Sequence, residues 1–302
     1  MKRLLVIAVL GVFAAACGSV SLGQPQTLTL AFKSGQTYKY KFHSATKQAI
    51  TMGAISIATS IDVTADESVK VNSVDSTGTA DITVTMSNLT MKTVTGDVTN
   101  TTTIANGDTS EMKIASDGLP VQAGGSAITG TNPFLAFSAL GGSFFISAIL
   151  PDHPVKPGDT WTKSYDQTNP GPTTGTIHIA GNSKYLRDET LNGIKAAVVE
   201  TKSTGTIDLA LDASKLGTGS GTPQIPGGAM SSMTVKGTLT TDVTSWIDPS
   251  GHRVMKTHST STDDGALNIV MSPSASAQAP AMPGLTGPIS VKGTATTDLT
   301  PA

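Results

Sequence analysis

Apolar and polar residues alternate along most of the chain, and this pattern predicts antiparallel β-strands with one covered face. Groups of turn-forming residues separate the alternating segments. They are Asp75-Ser76-Thr77-Gly78, Asn106-Gly107, Asn182, Asn192-Gly193 and Asp248-Pro249-Ser250-Gly251. Asn-Gly is the strongest short hairpin signal, so we expect Thr101–Ile104 and Glu111–Ile114 to pair around Asn106-Gly107. The sequence therefore predicts a mainly β protein.

The stretch from Asn132 to Leu150 departs from this pattern. It holds four of the seven Phe residues, and no charged residue occurs between Gly118 and Pro151. Asn132 followed by Pro133 is typical of a helix start, so we expect a helix here. The apolar side of this predicted helix carries Phe134, Phe137, Leu140, Phe144, Phe145 and Ile149.

Three interpretations of the predicted helix stay open. It is a core helix buried against a sheet, a helix that shares its apolar face with a bound lipid or a membrane surface, or a membrane span. A span needs roughly 18 to 20 uninterrupted apolar residues, and Gly141-Gly142 interrupts this run. Two similar halves on either side of the stretch also argue against a span.

Two sequence repeats bear on the architecture. Lys33–Tyr38 (KSGQTY) matches Lys156–Trp161 (KPGDTW), and each places a turn before an aromatic residue that opens a strand. Val235–Thr244 (VKGTLTTDVT) and Val291–Thr300 (VKGTATTDLT) share eight of ten positions. We therefore expect two related, curved antiparallel sheets, half-barrel-like, with one central apolar helix. The alternative is one continuous sheet built from the two repeats.

The N-terminus predicts export. Met1-Lys2-Arg3 precedes an apolar run from Leu4 to Ala16, as in a secretory signal. The run ends in Ala14-Ala15-Ala16-Cys17, which resembles a bacterial lipobox, in which the Cys receives diacylglycerol. Cys17 is the only Cys, so no disulfide within the chain is possible, and acylation explains its solitude. We expect a lipid-anchored protein outside the cytoplasm, at the bacterial cell membrane or envelope.

The predicted organisation has five parts: a signal peptide (1–16), the lipidated Cys and a polar tether (17–26), a first β-rich repeat (27–126), an apolar helical segment (127–151) and a second β-rich repeat (152–302). Removal of residues 1–16 takes away Lys2 and Arg3 and no acid, so the net charge changes from −2 to −4. A clustered excess of basic residues is absent, which argues against a nucleic-acid partner.

The lipobox, the two Lys-x-Gly-x-Thr-aromatic openings and the run LPDHPVKPGDTW at Leu150–Trp161 resemble a family of bacterial envelope lipoproteins with duplicated β-rich halves. At the level of fold, the pattern is similar to the lipoprotein carriers and the mycobacterial lipid-binding lipoproteins. That resemblance implies a half-open β-barrel around an apolar cavity covered by helices, and a lipid as ligand. The chain departs from this group in having one helix candidate where several are expected.

Residues for catalysis or metal binding are sparse. The five His residues lack metal-ligand spacing, and no nucleophile elbow of the Gly-x-Ser-x-Gly type occurs. Asp263-Asp264-Gly265 lacks the alternating acidic spacing of a calcium loop, so we interpret these residues as a turn. We expect no enzyme activity, no cofactor and no metal.

The leading hypothesis is therefore a non-enzymatic, lipid-anchored protein that binds or carries a lipid or another apolar ligand. Its predicted site residues are Cys17 for the anchor and the six apolar residues of the 132–150 stretch for the ligand. The membrane is the expected partner through the N-terminal lipid, while the sequence identifies no protein partner. The competing hypothesis is a structural or adhesive surface lipoprotein with a fully packed helix and no cavity.

Overall fold

A computed structural model describes residues 24–105, 109–122, 147–168, 173–212, 230–271 and 288–302. The predicted signal peptide, Cys17 and the predicted helix as far as residue 146 lie outside these ranges. Within the described ranges the chain forms strands and turns and no helix, so no described segment is a helix that could span a membrane.

Twelve strands make up most of the described residues, and several are unusually long, up to the 20 residues of β2. They are β1 (Thr37–Met52), β2 (Ile55–Val74), β3 (Ala80–Thr95), β4 (Val98–Ile104), β5 (Thr109–Ile114), β6 (Pro120–Gln122), β7 (Thr160–Thr168), β8 (Thr173–Leu191), β9 (Ile194–Asp212), β10 (Met230–Asp248), β11 (Arg253–Met271) and β12 (Ile289–Pro301).

All twelve strands belong to one antiparallel sheet, in the order β6-β5-β3-β2-β1-β12-β11-β10-β9-β8-β7, with β4 paired to β3. The prediction of two sheets is wrong, and the alternative of one continuous sheet is correct. The reason is the pairing of β1 with β12, which runs from Tyr40 opposite Pro301 to Met52 opposite Ile289. This pairing joins the strands of the N-terminal half to those of the C-terminal half.

The sheet curls into a half-barrel. Its two end strands, β6 and β7, contact one another although they share no backbone ladder. Lys163 of β7 reaches the turn between β5 and β6, where its Nζ lies 2.7 Å from Asp117 Oδ2. The N–H of Leu150 donates to the carbonyl of Asp117 at 2.8 Å. We call this the Asp117 end of the sheet and the opposite end, near the β1–β2 turn at Gly53, the far end.

The prediction of a central apolar helix is wrong where the structure tests it, at Ser147–Leu150. These residues are not helical, and their N–H groups bond across the fold rather than to a preceding turn of helix. Ala148 N–H donates to Ser245 Oγ at 2.8 Å and Ile149 N–H to Thr201 Oγ1 at 2.9 Å. Strand hydroxyls therefore satisfy the backbone donors that a helix would have used itself.

Several predicted turns are confirmed, and two are wrong. Asn192 (φ 51°) and Gly193 (φ 78°) form the tight β8–β9 hairpin, since both positions need the left-handed region that Asn and Gly tolerate. Asp75–Gly78 and Asp248–Gly251 also connect adjacent strands. Asn182, however, lies inside the continuous strand β8.

The predicted hairpin at Asn106-Gly107 is also wrong. Residues 106–108 lie outside the description, but the strands on either side do not pair with each other. Both β4 and β5 pair antiparallel to β3, β5 along its first half and β4 along its second. The two strands therefore follow one another along the same partner, because β3 is long enough to bind both.

The two Lys-x-Gly-x-Thr-aromatic segments open β1 and β7 as predicted. In the first, Gly35 N–H donates to Val71 O at 2.9 Å and Val71 N–H donates to Gln36 O at 2.8 Å. In the second, Gly158 N–H donates to Tyr185 O at 2.7 Å and Tyr185 N–H donates to Asp159 O at 3.0 Å. The openings share one local geometry, while the larger duplication stays a prediction.

The two faces of the sheet differ in chemistry. The outer face carries cross-strand ion pairs such as Lys236–Asp208 at 2.9 Å and Lys292–Asp264 at 2.8 Å, whose side chains are about 60% exposed. Pairs this exposed contribute little to stability. The other face, which we call the buried face, holds the hydrophobic core together with Leu28, Leu30, Ile149 and Leu150.

Glu67 is a buried acid in this core, on β2 opposite Tyr40. Burial raises the pKa of Glu67 from 4.5 to about 7, because desolvation disfavours the carboxylate. A raised pKa means that the folded state holds the proton more tightly than the unfolded state. Stability is therefore full below about pH 4.5 and falls as the pH rises to about 7.

Glu67→Gln should remove this loss. We expect the free energy of unfolding of the variant, relative to the native protein, to rise by about 3 kcal/mol between about pH 4 and pH 8. Urea unfolding at a series of pH values measures this difference, in which other titrating groups cancel. Glu111→Gln, on an exposed position of β5, is the matched control and should show no such trend. A pH-independent difference for Glu67→Gln would contradict the assignment.

Candidate functional site

The buried face has three zones along the strands. Apolar side chains fill the Asp117 end and the far end, and a polar zone crosses β8 to β12 between them. Residues that share a cross-strand row on this face lie about 5 Å apart on neighbouring strands, and successive rows are about 7 Å apart. The far-end apolar zone consists of Ile177, Ile207, Leu209, Val235, Leu267, Ile289 and Val291, all buried.

Five buried side-chain atoms of the described residues have no hydrogen-bond partner: Tyr165 Oη, Ser203 Oγ, Thr241 Oγ1, Ser261 Oγ and Asp263 Oδ2. All five lie in two adjacent rows of the buried face. Ser203, Thr241 and Ser261 are directly opposite one another on β9, β10 and β11. Asp263 and Tyr165 lie in the next row, four strands apart, and this row continues beyond Asp263 through Gly293 of β12 to the buried Gln48 of β1. We call Ser203, Thr241, Ser261 and Asp263 the polar patch.

Asp263 is the only acid of the patch and is 6% exposed. Its carboxylate lies over Gly293 of β12, so closely that a Cβ on Gly293 would stand 2.5 Å from Oδ1. Burial, and then the neighbouring charge of Asp264, raise the pKa of Asp263 to about 6. Asp263 Oδ2 has no partner, although a hydrogen bond from the backbone N–H of Asp263 itself offsets part of the rise in pKa.

The next row toward the Asp117 end contains similar hydroxyls, but these have partners. Thr201 Oγ1 accepts the N–H of Ile149 and lies 2.8 Å from Ser183 Oγ. Ser245 Oγ, close to this row, accepts the N–H of Ala148. The contrast shows that buried hydroxyls on this face are normally satisfied by the segment packed against them. The polar patch is the part of the face where no described group supplies such bonds.

Among the predicted ligand-lining residues, the structure describes Ile149. It is fully buried, its Cδ1 occupies the space beside Gly181, and its carbonyl accepts the indole N–H of Trp161 at 3.0 Å. Phe134, Phe137, Leu140, Phe144 and Phe145 lie outside the described residues, as does Cys17. Their roles therefore stay predictions.

The histidines each bond a single acid or hydroxyl. His43, His153, His178 and His258 lie within 3.0 Å of Asp62, Asp152, Asp166 and Asp298, respectively. His252 Nδ1 lies 3.4 Å from Thr29 Oγ1. Over the described part of the chain, no group of three or more potential metal ligands occurs.

Sequence reasoning missed the polar patch. The interpretation of Asp263-Asp264-Gly265 as a turn is wrong, because these residues lie in the middle of β11. The signal that could have found them is the alternation itself. Met255, Thr257, Ser259, Ser261, Asp263, Gly265 and Leu267 all lie on one face of a single long strand. Their phase puts Asp263 on the buried face and Asp264 on the outer face.

No protein-family model and no curated protein matches the chain. Among solved structures, it is similar to a crystal structure from Vibrio parahaemolyticus, provisionally named an outer membrane lipoprotein-sorting protein domain. The identity is 8%, over 87% of this chain and 83% of that one, with a TM-score of 0.14. A TM-score this low supports no conclusion about fold or function. The expected relation to envelope lipoproteins therefore stays a prediction.

The difference between satisfied and unsatisfied hydroxyls can be tested with two isosteric substitutions. Thr201→Val should lower the free energy of unfolding by about 1 to 3 kcal/mol, because it leaves the buried N–H of Ile149 without an acceptor. Thr241→Val should be neutral or stabilising, because it removes a buried hydroxyl that has no partner. Urea unfolding measures both, with Thr204→Val on the exposed face of β9 as the control. Equal destabilisation by the two buried substitutions would contradict the assignment.

Proposed function

We propose that the chain is a non-enzymatic, lipid-anchored extracytoplasmic protein that binds a lipid or another apolar ligand on the buried face of its curled sheet. One observation carries this proposal: polar atoms without partners lie beside an apolar zone on the same buried face. A ligand with an apolar body and a polar group would satisfy both zones together. Proteins rarely leave several buried polar atoms of one region without partners unless something else binds them.

The position of the N-terminus fits a membrane anchor. Gln26 pairs with Val155, where its N–H donates to the carbonyl of Val155 at 2.8 Å. The Gln26 side chain also bonds the hydroxyl of Tyr185. Cys17 precedes Gln26 by few enough residues that an acyl group on it would hold this end of the sheet within roughly 30 Å of the bilayer.

The alternative is a structural or adhesive surface lipoprotein without a ligand cavity. The completeness of burial favours it, because Ile177, Leu267 and Val291 of the far-end apolar zone are already fully buried. On this alternative, the hydroxyls of the polar patch are tolerated at a cost in stability. The two functions differ in whether a small molecule copurifies with the protein.

Native mass spectrometry of the protein with Cys17→Ser distinguishes them, because this substitution removes the predicted acylation site and leaves any bound ligand as the sole lipid. We expect a discrete adduct of lipid mass that organic extraction releases. Added lipid should then raise the melting temperature of the extracted protein, since a ligand that binds only the folded state stabilises it. A clean mass together with no thermal shift would overturn the proposed function and favour the structural alternative.

A further inference from the structure

The polar patch has an unbalanced charge. Asp263 Oδ2 is buried and without a partner, and so are the hydroxyl oxygens of Ser203, Thr241 and Ser261 in the adjacent row. Every Lys and Arg of β9 to β12 has a partner elsewhere. These pairs are Lys195–Asp188, Lys202–Asp242, Lys236–Asp208, Arg253–Asp248, Lys256 over the ring of Trp246, and Lys292–Asp264. The protein therefore supplies the buried carboxylate with no cation from these strands.

Adjacent residues of β11 show the contrast. Asp264 points to the outer face and lies 2.8 Å from Lys292 Nζ. Asp263 points to the buried face, where its neighbour on β12 is Gly293 rather than a basic or hydrogen-bonding residue. An ionised carboxylate taken out of water is costly unless a donor or a cation pairs with it. The partner missing here is a hydrogen-bond donor.

We propose that the polar patch binds the head group of a single-chain or multi-chain amphipathic ligand, and that it selects head groups that donate hydrogen bonds, a primary amine above all. This inference rests on the proposed function and adds to it the chemical class of the ligand. An ammonium group offers three donors, which suit Asp263 Oδ2 and a hydroxyl oxygen of the adjacent row, such as that of Ser261 on the same strand. An anionic head group would face the carboxylate of Asp263 and be repelled.

The dimensions of the patch suit one small head group. Ser203, Thr241 and Ser261 span three neighbouring strands, about 10 Å, and Asp263 lies about 7 Å from Ser261 along β11. Tyr165 lies in the same row as Asp263 but four strands away, and is not part of this group. The patch is therefore large enough for an amine or a short polar head, with Asp263 at one corner.

The apolar zone begins directly beside the patch. Gly237 and Gly265 face each other in the row next to Asp263 and leave the sheet surface there without side chains. Val235 and Leu267 follow in the next row toward the far end and are both buried. A hydrocarbon chain attached to a head group in the patch would lie along these residues. The order of zones thus matches the order of groups in an amphipathic molecule.

Three probes with one hydrocarbon chain and different head groups test the inference: hexadecylamine, hexadecanol and hexadecanoate. Each is titrated at neutral pH into the full protein with Cys17→Ser, below its micelle-forming concentration, and binding is followed by displacement of a fluorescent lipid probe. We expect hexadecylamine to bind at least about tenfold more tightly than hexadecanoate, with hexadecanol between them, because hydrogen bonds to a charged group contribute about 1.5 kcal/mol or more.

Asp263→Asn should remove the preference for the amine and strengthen binding of hexadecanoate, because an amide can donate to a carboxylate. Asp264→Asn is the matched control: it changes the net charge equally, one residue away, on the outer face. It should leave the order of the three probes unchanged, which separates selection by the patch from general attraction of a cation to an acidic protein.

The outcomes separate the two proposals. Similar affinity for all three probes, or an unchanged order in Asp263→Asn, would overturn the head-group inference and leave the proposed function standing. The same loss of order in Asp264→Asn would also overturn it, because the effect would then be one of net charge. Failure of all three probes to bind would overturn the proposed function as well. If Asp263→Asn fails to fold, Thr241→Val replaces it as the test, because it removes a hydroxyl of the patch without changing the net charge, and an unchanged preference for the amine would then overturn the inference.

Discussion

The pairing of β1 with β12 is the contact on which the rest of the structure depends. It joins strands from opposite ends of the described chain, through residue pairs from Tyr40–Pro301 to Met52–Ile289. Without it, each half would be a separate sheet with an unpaired edge, which is a site for aggregation. The pairing of β12 with β11 places Gly293 against Asp263, and the pairings among β9, β10 and β11 align the other residues of the polar patch. The β1–β12 pairing extends these rows into the N-terminal half of the sheet.

The sequence predicted what depends on local chemistry. The turn at Asn192-Gly193 and the strand openings after Gly35 and Gly158 follow from φ preferences that a few residues determine. The number of sheets was mispredicted, because the partner of β1 is more than two hundred residues away and no local pattern identifies it. The prediction of a helix at Ser147–Leu150 is wrong for the same reason. Its backbone is held by hydroxyls of β9 and β10, which a helix pattern read from the segment alone does not include.

The amino-acid composition of the chain explains why the sequence did not reveal the polar patch. Ser and Thr are so frequent in this chain that none is conspicuous, and consecutive acids normally indicate a solvated turn. Only the phase of a strand of nineteen residues separates Asp263 from Asp264. Once the strand is known to be continuous, alternation alone assigns the two acids to opposite faces. The sequence therefore did not predict the length of the strand. Once that length is known, the direction of each side chain follows from the alternation.

The two adjacent acids show that the two faces of the sheet differ in how they pair charges. On the outer face, Asp264 has Lys292 opposite it, and similar cross-strand pairs recur at Lys236–Asp208 and Lys202–Asp242. The same strands thus place cations opposite acids wherever water already solvates both. At Asp263, where desolvation makes a partner most valuable, the opposite residue is glycine. A hydrophobic residue at position 263 would remove the desolvation cost, and Gly293 is the residue whose lack of a side chain leaves room for the Asp263 carboxylate. The buried acid and the glycine are therefore best explained together, with Asp263 Oδ2 as the atom that a donor group would bind.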